Sequence, residues 1–147
     1  MLKVMGIIII IAVCGGVGFY MSSSLRIRQK RLTAICLLIE EISDRIRTGE
    51  ELSDILNSSG KEAGIFRRGY DTVVSPEGLN ILDIRLTEKF FSKLGMGDTD
   101  SQIKRCGIYF ELLKNKESEA IKQAKEKSAL YCKLGVFAGL LIGVLLI

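Results

Sequence analysis

Two apolar stretches near the ends of the chain constrain its fold more than any single motif does. Residues 4–21 form one uncharged run and residues 134–147 form another, in a chain of 147 residues. Of the 21 Lys and Arg residues only Lys3 lies outside the stretch between these runs, and all 17 Asp and Glu residues lie within it. This distribution predicts a chain that is held at a membrane by both ends.

The first run is long enough for a transmembrane helix. Val4 to Met21 is 18 residues, or about 27 Å of helix, against a bilayer core of ~30 Å. Neutral residues 22–24 extend it. The alternative is a cleaved signal peptide, but its basic region would hold only Lys3 and no clean small-x-small site precedes the charged region. We therefore predict a retained transmembrane helix over residues 4–24.

The second run is short by itself, since residues 134–147 span about 21 Å as a helix. Extension back to Ala129 gives about 28 Å. The extension includes Tyr131, which is favoured at a membrane interface, and Lys133, whose long stem lets its ammonium reach water. We predict a second transmembrane helix over residues 129–147, with a buried core helix as the alternative.

Glycines repeat at a fixed interval in the second run. Gly135, Gly139 and Gly143 are four residues apart, which puts a shallow groove on one helix face where another backbone approaches closely in lipid. The first run offers a small-residue counterpart at Ala12, Gly15, Gly16 and Gly18. The pattern predicts packing between membrane helices. It leaves open whether the partner is the other run of the same chain or a second copy in a homo-oligomer.

Lys and Arg residues border both runs on their inner sides. Arg26, Arg28, Lys30 and Arg31 follow the first run, and the second is preceded or bordered by Lys114, Lys116, Lys122, Lys125, Lys127 and Lys133. Because cytoplasmic flanks of membrane helices are enriched in these cations, the middle of the chain is predicted to be cytoplasmic, with both termini outside.

The middle of the chain has apolar residues at helical spacing. Five of them alternate three and four residues apart, a heptad seam that predicts a helix over residues 25–47: Leu32, Ile35, Ile39, Ile42 and Ile46. Thr48 and Glu51 then form a capping-box pattern for a short helix, which residues 57–60 are expected to break. Residues 61–74 stay ambiguous because Gly64 and Gly69 interrupt their helical spacing.

Two further helices are predicted beyond that segment. Ser75 before Pro76 indicates a helix start and Gly95 its end. The apolar stripe between them is Leu79, Leu82, Leu86, Phe90 and Leu94. Asp98 or Thr99 caps the last helix, which continues without a breaker into the second apolar run. The predicted fold is therefore all-α: an antiparallel helical bundle in residues 25–128, flanked by two transmembrane helices.

The composition excludes several chemistries. The chain has no His, so Ser-His and Cys-His nucleophile pairs and His metal ligands are absent. Its four cysteines lack C-x-x-C spacing and are predicted to be reduced thiols: Cys14, Cys36, Cys106 and Cys132. The net charge of +4 comes from interleaved acids and bases, which does not indicate a nucleic-acid surface. We expect no catalytic residues, no cofactor and no metal.

An acidic cluster marks the end of the first predicted cytoplasmic helix. Glu40, Glu41 and Asp44 lie within five residues of one another. A solvated helix face is one interpretation, and a surface that docks a partner protein is the other, because complementary charge favours specific association.

Motifs along nearly the whole chain resemble one family. They are Lys3 and Gly6, Gly18-Phe19, Arg26-Ile27-Arg28-Gln29, Arg31-Leu32, Glu40-Glu41-Ile42, Leu94-Gly95, Asp98, Gln102, Glu119-Ala120, Lys133-Leu134-Gly135 and Gly139-Leu140-Leu141. In this order they resemble the stage III sporulation protein AB family of endospore-forming bacteria. The chain departs from that family at residues 47–52, where an aromatic residue and Thr-Pro-Leu are usual.

The resemblance implies a non-enzymatic membrane scaffold in the secretion-like complex that joins mother cell and forespore. The family is similar to the inner-membrane platform protein of type II secretion and type IV pilus systems, whose helical cytoplasmic domain docks a secretion ATPase. The implied partners are that ATPase, other membrane subunits of the complex and membrane lipid. The alternative function is a small membrane signalling module that relays through the helix of residues 25–47.

Overall fold

Four helices and one two-stranded sheet make up the part of the chain that the computed structural model describes, residues 2–68 and 71–145. Side-chain environments are described for these residues except 2–4, 7, 10, 11, 143 and 145. In chain order the elements are α1 (Leu2–Arg47), α2 (Leu52–Ala63), β1 (Ile65–Arg68), β2 (Asp71–Val74), α3 (Ile81–Lys93) and α4 (Thr99–Leu145). The fold is mostly helical as predicted, but "all-α" is wrong because β1 and β2 form a hairpin.

The chain divides into two compact units. The bundle unit contains residues 28–119, and the helix-pair unit contains residues 1–27 and 120–147. The long helices α1, with 46 residues, and α4, with 47 residues, contribute to both units. The sequence correctly predicted that α4 runs without a break into its apolar run, and α1 is likewise one continuous helix over the predicted segments 4–24 and 25–47.

The core of the bundle unit is built on the predicted seam of α1. All five seam residues are buried, together with Ile55 of α2, Phe90 of α3 and Leu113 of α4. Because apolar side chains at heptad spacing share one helix face, that face of α1 becomes the surface on which the shorter elements pack.

The hairpin replaces the segment that was ambiguous in the sequence. Gly64 ends α2 with a φ of +69°, a left-handed conformation that suits glycine. A Cβ at Gly64 would also collide with the Arg31 guanidinium. The strands then pair antiparallel, with Ile65 opposite Val74 and both side chains buried. Strand formation follows from the glycine stop and the β-branched residues after it.

Two predicted helix starts are wrong. Thr48 does not cap α2, because its hydroxyl donates back to the Arg45 carbonyl at 2.8 Å, and α2 continues through residues 57–60 to Ala63. Pro76 begins a turn, closed by a 3.3 Å bond from the Leu79 amide to the Pro76 carbonyl, rather than a helix.

The start of α3 lies at a second cap farther along the chain. The Asn80 amide donates to Asp83 Oδ2 at 3.3 Å, and the helix begins at Ile81. The buried face of α3 consists of Asp83, Thr87, Phe90 and Phe91, so the predicted stripe residue Leu82 is 66% exposed whereas Phe90 is buried. At α4, Asp98 rather than Thr99 is the cap, since its carboxylate accepts the Ser101 amide at 3.3 Å.

Among the described residues, no helical stretch combines the length and the apolar character that a membrane crossing requires. The predicted spans 4–24 and 129–147 include residues whose side-chain environments lie outside the description, namely 4, 7, 10, 11, 143 and 145–147.

Candidate docking surface

The predicted acidic cluster divides into two parts on α1. Glu40 and Asp44 lie one helical turn apart and are exposed. They border a groove of about 220 Å³ between α1 and α4, which we call the acidic groove. Its other lining residues are Ile39, Ser43, Arg47, Cys106, Gly107 and Phe110.

The floor of the acidic groove is apolar. Ile39 and Cys106 are buried, and Phe110 is partly exposed. The rim carries two carboxylates, those of Glu40 and Asp44, and one guanidinium, that of Arg47. An apolar floor under a net negative rim suits a partner that offers an apolar side chain beside Lys or Arg.

Glu41 belongs to a different contact. Its Oε1 accepts hydrogen bonds from Arg45 Nη1 at 3.2 Å and from the Ser59 hydroxyl at 2.6 Å. Arg45 also donates to Glu50 Oε2 at 2.6 Å and to the Ser58 hydroxyl at 2.7 Å. These bonds connect α1 to α2 and raise the pKa of Arg45, mainly through the bond to Glu50. The structure therefore does not bring Glu41 into the groove with the other two acids.

A buried ion pair joins α1 to α3. Arg28 Nε lies 2.8 Å from Asp83 Oδ2, and Arg28 Nη2 lies 3.2 Å from Oδ1, with side chains only 8% and 1% exposed. Sequence reasoning missed this pair. Arg28 precedes Leu32 by four residues and thus occupies the next position of the heptad seam, so a cation in that seam was the available signal.

Glu117 is a buried acid between α1 and α4. Its Oε1 accepts from the Thr33 hydroxyl at 2.6 Å, and Lys114 Nζ lies 2.6 Å from Oε2. Burial is the largest single influence on the pKa of Glu117, and it favours the neutral acid. The bonds from Lys114 and Thr33 outweigh it and hold the pKa of Glu117 below its usual value. The cluster fixes α4 against α1 next to the acidic groove.

The two thiols of the bundle unit, Cys36 and Cys106, are buried. Burial raises the pKa of Cys36 and of Cys106 to about 11. All four cysteines are free, and Cys14 and Cys132 are partly exposed. Within the described part of the chain, no group of three or more His, Cys, Asp or Glu side chains is arranged to hold a metal ion.

The glycines of the helix-pair unit lie at a close backbone contact. A Cβ added at Gly135 would stand 2.7 Å from the Cys14 carbonyl oxygen, and one added at Gly18 would stand 2.6 Å from that of Tyr131. Gly139 is buried, whereas the environment of Gly143 lies outside the described residues. Gly135 thus packs within the chain, against the first run.

The buried hydroxyls of Ser22 and Ser128 bond to each other in the same unit. On α1 the contacts lie at Ser22, Gly18 and Cys14, in descending order along the chain. Their partners on α4 are Ser128, Tyr131 and Gly135, in ascending order. The two helices therefore run antiparallel in this unit, with contacts at every turn.

Comparison with protein families shows which family the chain belongs to. The model of the family described as stage III sporulation protein AB matches residues 50–147, about two thirds of the chain. The chain belongs to the stage III sporulation protein AB family, which implies a role connected with sporulation. Comparisons with curated proteins and with solved structures give no match.

Proposed function

We propose that this chain is a non-enzymatic membrane scaffold of the secretion-like complex between mother cell and forespore. In this proposal the two apolar runs anchor it in the membrane, and the bundle unit docks the complex's ATPase in the mother-cell cytoplasm. Family membership supports a place in sporulation. The two uncharged runs and the basic residues on their inner sides support the anchoring.

The backbone contact of the helix-pair unit supports packing of the two runs in lipid. Helices in a bilayer associate through close van der Waals contact at small residues, since no hydrophobic effect drives them together there. Gly18 and Gly135 provide such contacts against Tyr131 and Cys14. The two runs would accordingly form one hairpin, leaving other faces for further membrane subunits.

The acidic groove is the observation on which the docking proposal depends. Glu40 and Asp44 are exposed beside an apolar floor, and the bond from Thr33 to Glu117 holds α4 against α1 next to it. Rim charges steer a partner of opposite charge and set the orientation in which it binds. We therefore place a basic, partly apolar surface of the ATPase on this groove.

Charge reversal at the groove rim tests the proposal. Glu40→Lys with Asp44→Lys should reduce co-purification of the ATPase with the full chain by more than tenfold, because like charges across an interface cost several kcal/mol and about 1.4 kcal/mol is a factor of ten. The control is Glu62→Lys with Glu88→Lys, which makes the same charge change at exposed residues of α2 and α3. ATPase binding that is equal in both variants would contradict docking at the groove.

A further inference from the structure

We propose that the helix-pair unit binds an anionic phospholipid, with the lipid phosphate held between Arg26 and Lys125. This inference rests on the membrane anchoring proposed above. A groove of about 430 Å³ lies between α1 and α4 in this unit, and we call it the lipid groove. Its lining includes Phe19, Ser22, Arg26, Lys125, Ser128 and Cys132.

The lipid groove is polar at one end and apolar at the other. Because α1 and α4 are antiparallel here and Ser22 meets Ser128, Arg26 and Lys125 lie toward the same end. Phe19 and Cys132 lie seven residues from these cations along their own helices, about 10 Å of helix. A cationic end joined to an apolar end matches the headgroup and the first acyl carbons of a phospholipid.

The serine pair supplies a hydrogen-bond donor within this groove. Two hydroxyls carry two protons, and the bond between Ser22 and Ser128 uses one of them. Neither hydroxyl has a further acceptor in the described part of the chain. One donor therefore remains in the groove, and phosphate oxygens are strong acceptors.

The cations at this end have no acidic partner among the described residues. Arg26 and Lys125 are exposed, and neither forms an ion pair within residues 2–68 and 71–145. Among the described residues that line the groove, Arg26 and Lys125 are cations and none is an acid. Such clusters beside membrane helices attract anionic lipid headgroups.

The position of the lipid groove favours a lipid over a free anion. The groove lies where the first apolar run gives way to Arg26 and just before Lys133 and the second run. On the proposed anchoring this is the headgroup level of the cytoplasmic leaflet. The apolar side chain of Phe19 would contact an acyl chain and offers nothing to an inorganic ion.

Spin-labelled lipids test the inference with the full chain in phosphatidylcholine vesicles. The measured quantity is the association constant of labelled phosphatidylglycerol relative to labelled phosphatidylcholine. Arg26→Gln with Lys125→Gln should lower this ratio by about fivefold for each cation removed. Lys122→Gln with Lys127→Gln removes the same charge from exposed residues outside the groove lining and should leave most of the preference.

Three results would overturn the lipid site: no preference in the wild-type chain, an equal loss in the control variant, or displacement of the labelled lipid by inorganic phosphate at matched ionic strength. The last would indicate a small-anion site. Extraction of the chain from the vesicles by alkaline carbonate would instead contradict the membrane anchoring, so the two proposals fail in distinguishable ways.

Discussion

Gly18 lies so close to the Tyr131 carbonyl that a Cβ on Gly18 would stand 2.6 Å from the carbonyl oxygen. No flexible side chain intervenes, so only movement of one backbone would make room. A Cβ added at Gly16, two residues earlier on α1, would meet nothing within 4 Å. The close approach of α1 and α4 therefore depends on particular glycines and not on glycine content.

Gly18→Ala should destabilise the helix-pair unit, by about 1–3 kcal/mol, because overpacking forces the backbones apart. Gly16→Ala is the matched control and should leave the stability unchanged. The measurement is the thermal unfolding midpoint of the full chain in detergent micelles. Equal midpoints for the two variants would show that α1 and α4 do not approach at Gly18.

Removing the charge of Asp83 should destabilise the bundle unit by about 3–5 kcal/mol, because it breaks a buried ion pair by neutralising one of its two members. Asp83→Asn is the variant, and Glu88→Gln on the exposed side of α3 is the control. Denaturant unfolding followed by circular dichroism measures the difference. The double variant Arg28→Met with Asp83→Leu should recover part of the loss, since no charge then remains buried.

The buried thiols should make stability fall at alkaline pH. Cys36 and Cys106 have an ordinary pKa of 9.0 and a pKa of about 11 in the folded chain. The folded state therefore keeps protons that the unfolded state releases between these values. The contribution of the thiols to the free energy of unfolding is therefore complete below pH 9, and it declines as the pH rises toward 11.

Replacing both thiols, as Cys36→Ala with Cys106→Ala, should flatten the decline of unfolding free energy between pH 9 and pH 11. Titration of lysines and tyrosines is shared by both proteins, so the wild-type minus variant difference isolates the thiols. Parallel curves would contradict their burial. In the native wild-type chain, maleimide should label neither thiol until the bundle unit opens.

The contribution of Glu117 to stability should depend on pH in the direction opposite to that of the thiols. Its folded-state pKa is below its ordinary value of 4.5, so its contribution is complete above that pH and disappears as the pH falls through the lowered value. Glu117→Gln should reduce stability at pH 7 by about 1–3 kcal/mol through weakened bonds to Thr33 and Lys114. Between pH 7 and pH 3 the free energy of unfolding of Glu117→Gln should fall less than that of the wild type. Glu111→Gln, at an exposed residue, should behave like the wild type.

Sequence reasoning succeeded where one periodic pattern extended over many residues. The seam from Leu32 to Ile46 correctly predicted the buried face of α1, and the absence of breakers predicted the length of α4. It failed where competing short signals stood close together. Pro76 resembles a helix start, but the Asn80–Asp83 cap determines where α3 begins.

The candidate site was foreseen only in part, because a sequence gives spacing along a helix and not its partners. The spacing of Glu40 and Asp44 puts them on one helix face. The hydrogen bond from Ser59 to Glu41, by contrast, depends on how α2 packs against α1. Likewise, the lipid groove needs α1 and α4 to be aligned, and no local pattern provides that alignment.

In the proposed function, this chain holds the complex's ATPase at the membrane. This role is tested most directly by the fraction of that ATPase that sediments with membranes of sporulating cells. Cells with the full chain should retain the ATPase in the membrane fraction, and cells with a chain lacking residues 129–147 should release most of it and sporulate poorly. Unchanged sedimentation with unchanged sporulation would contradict the account.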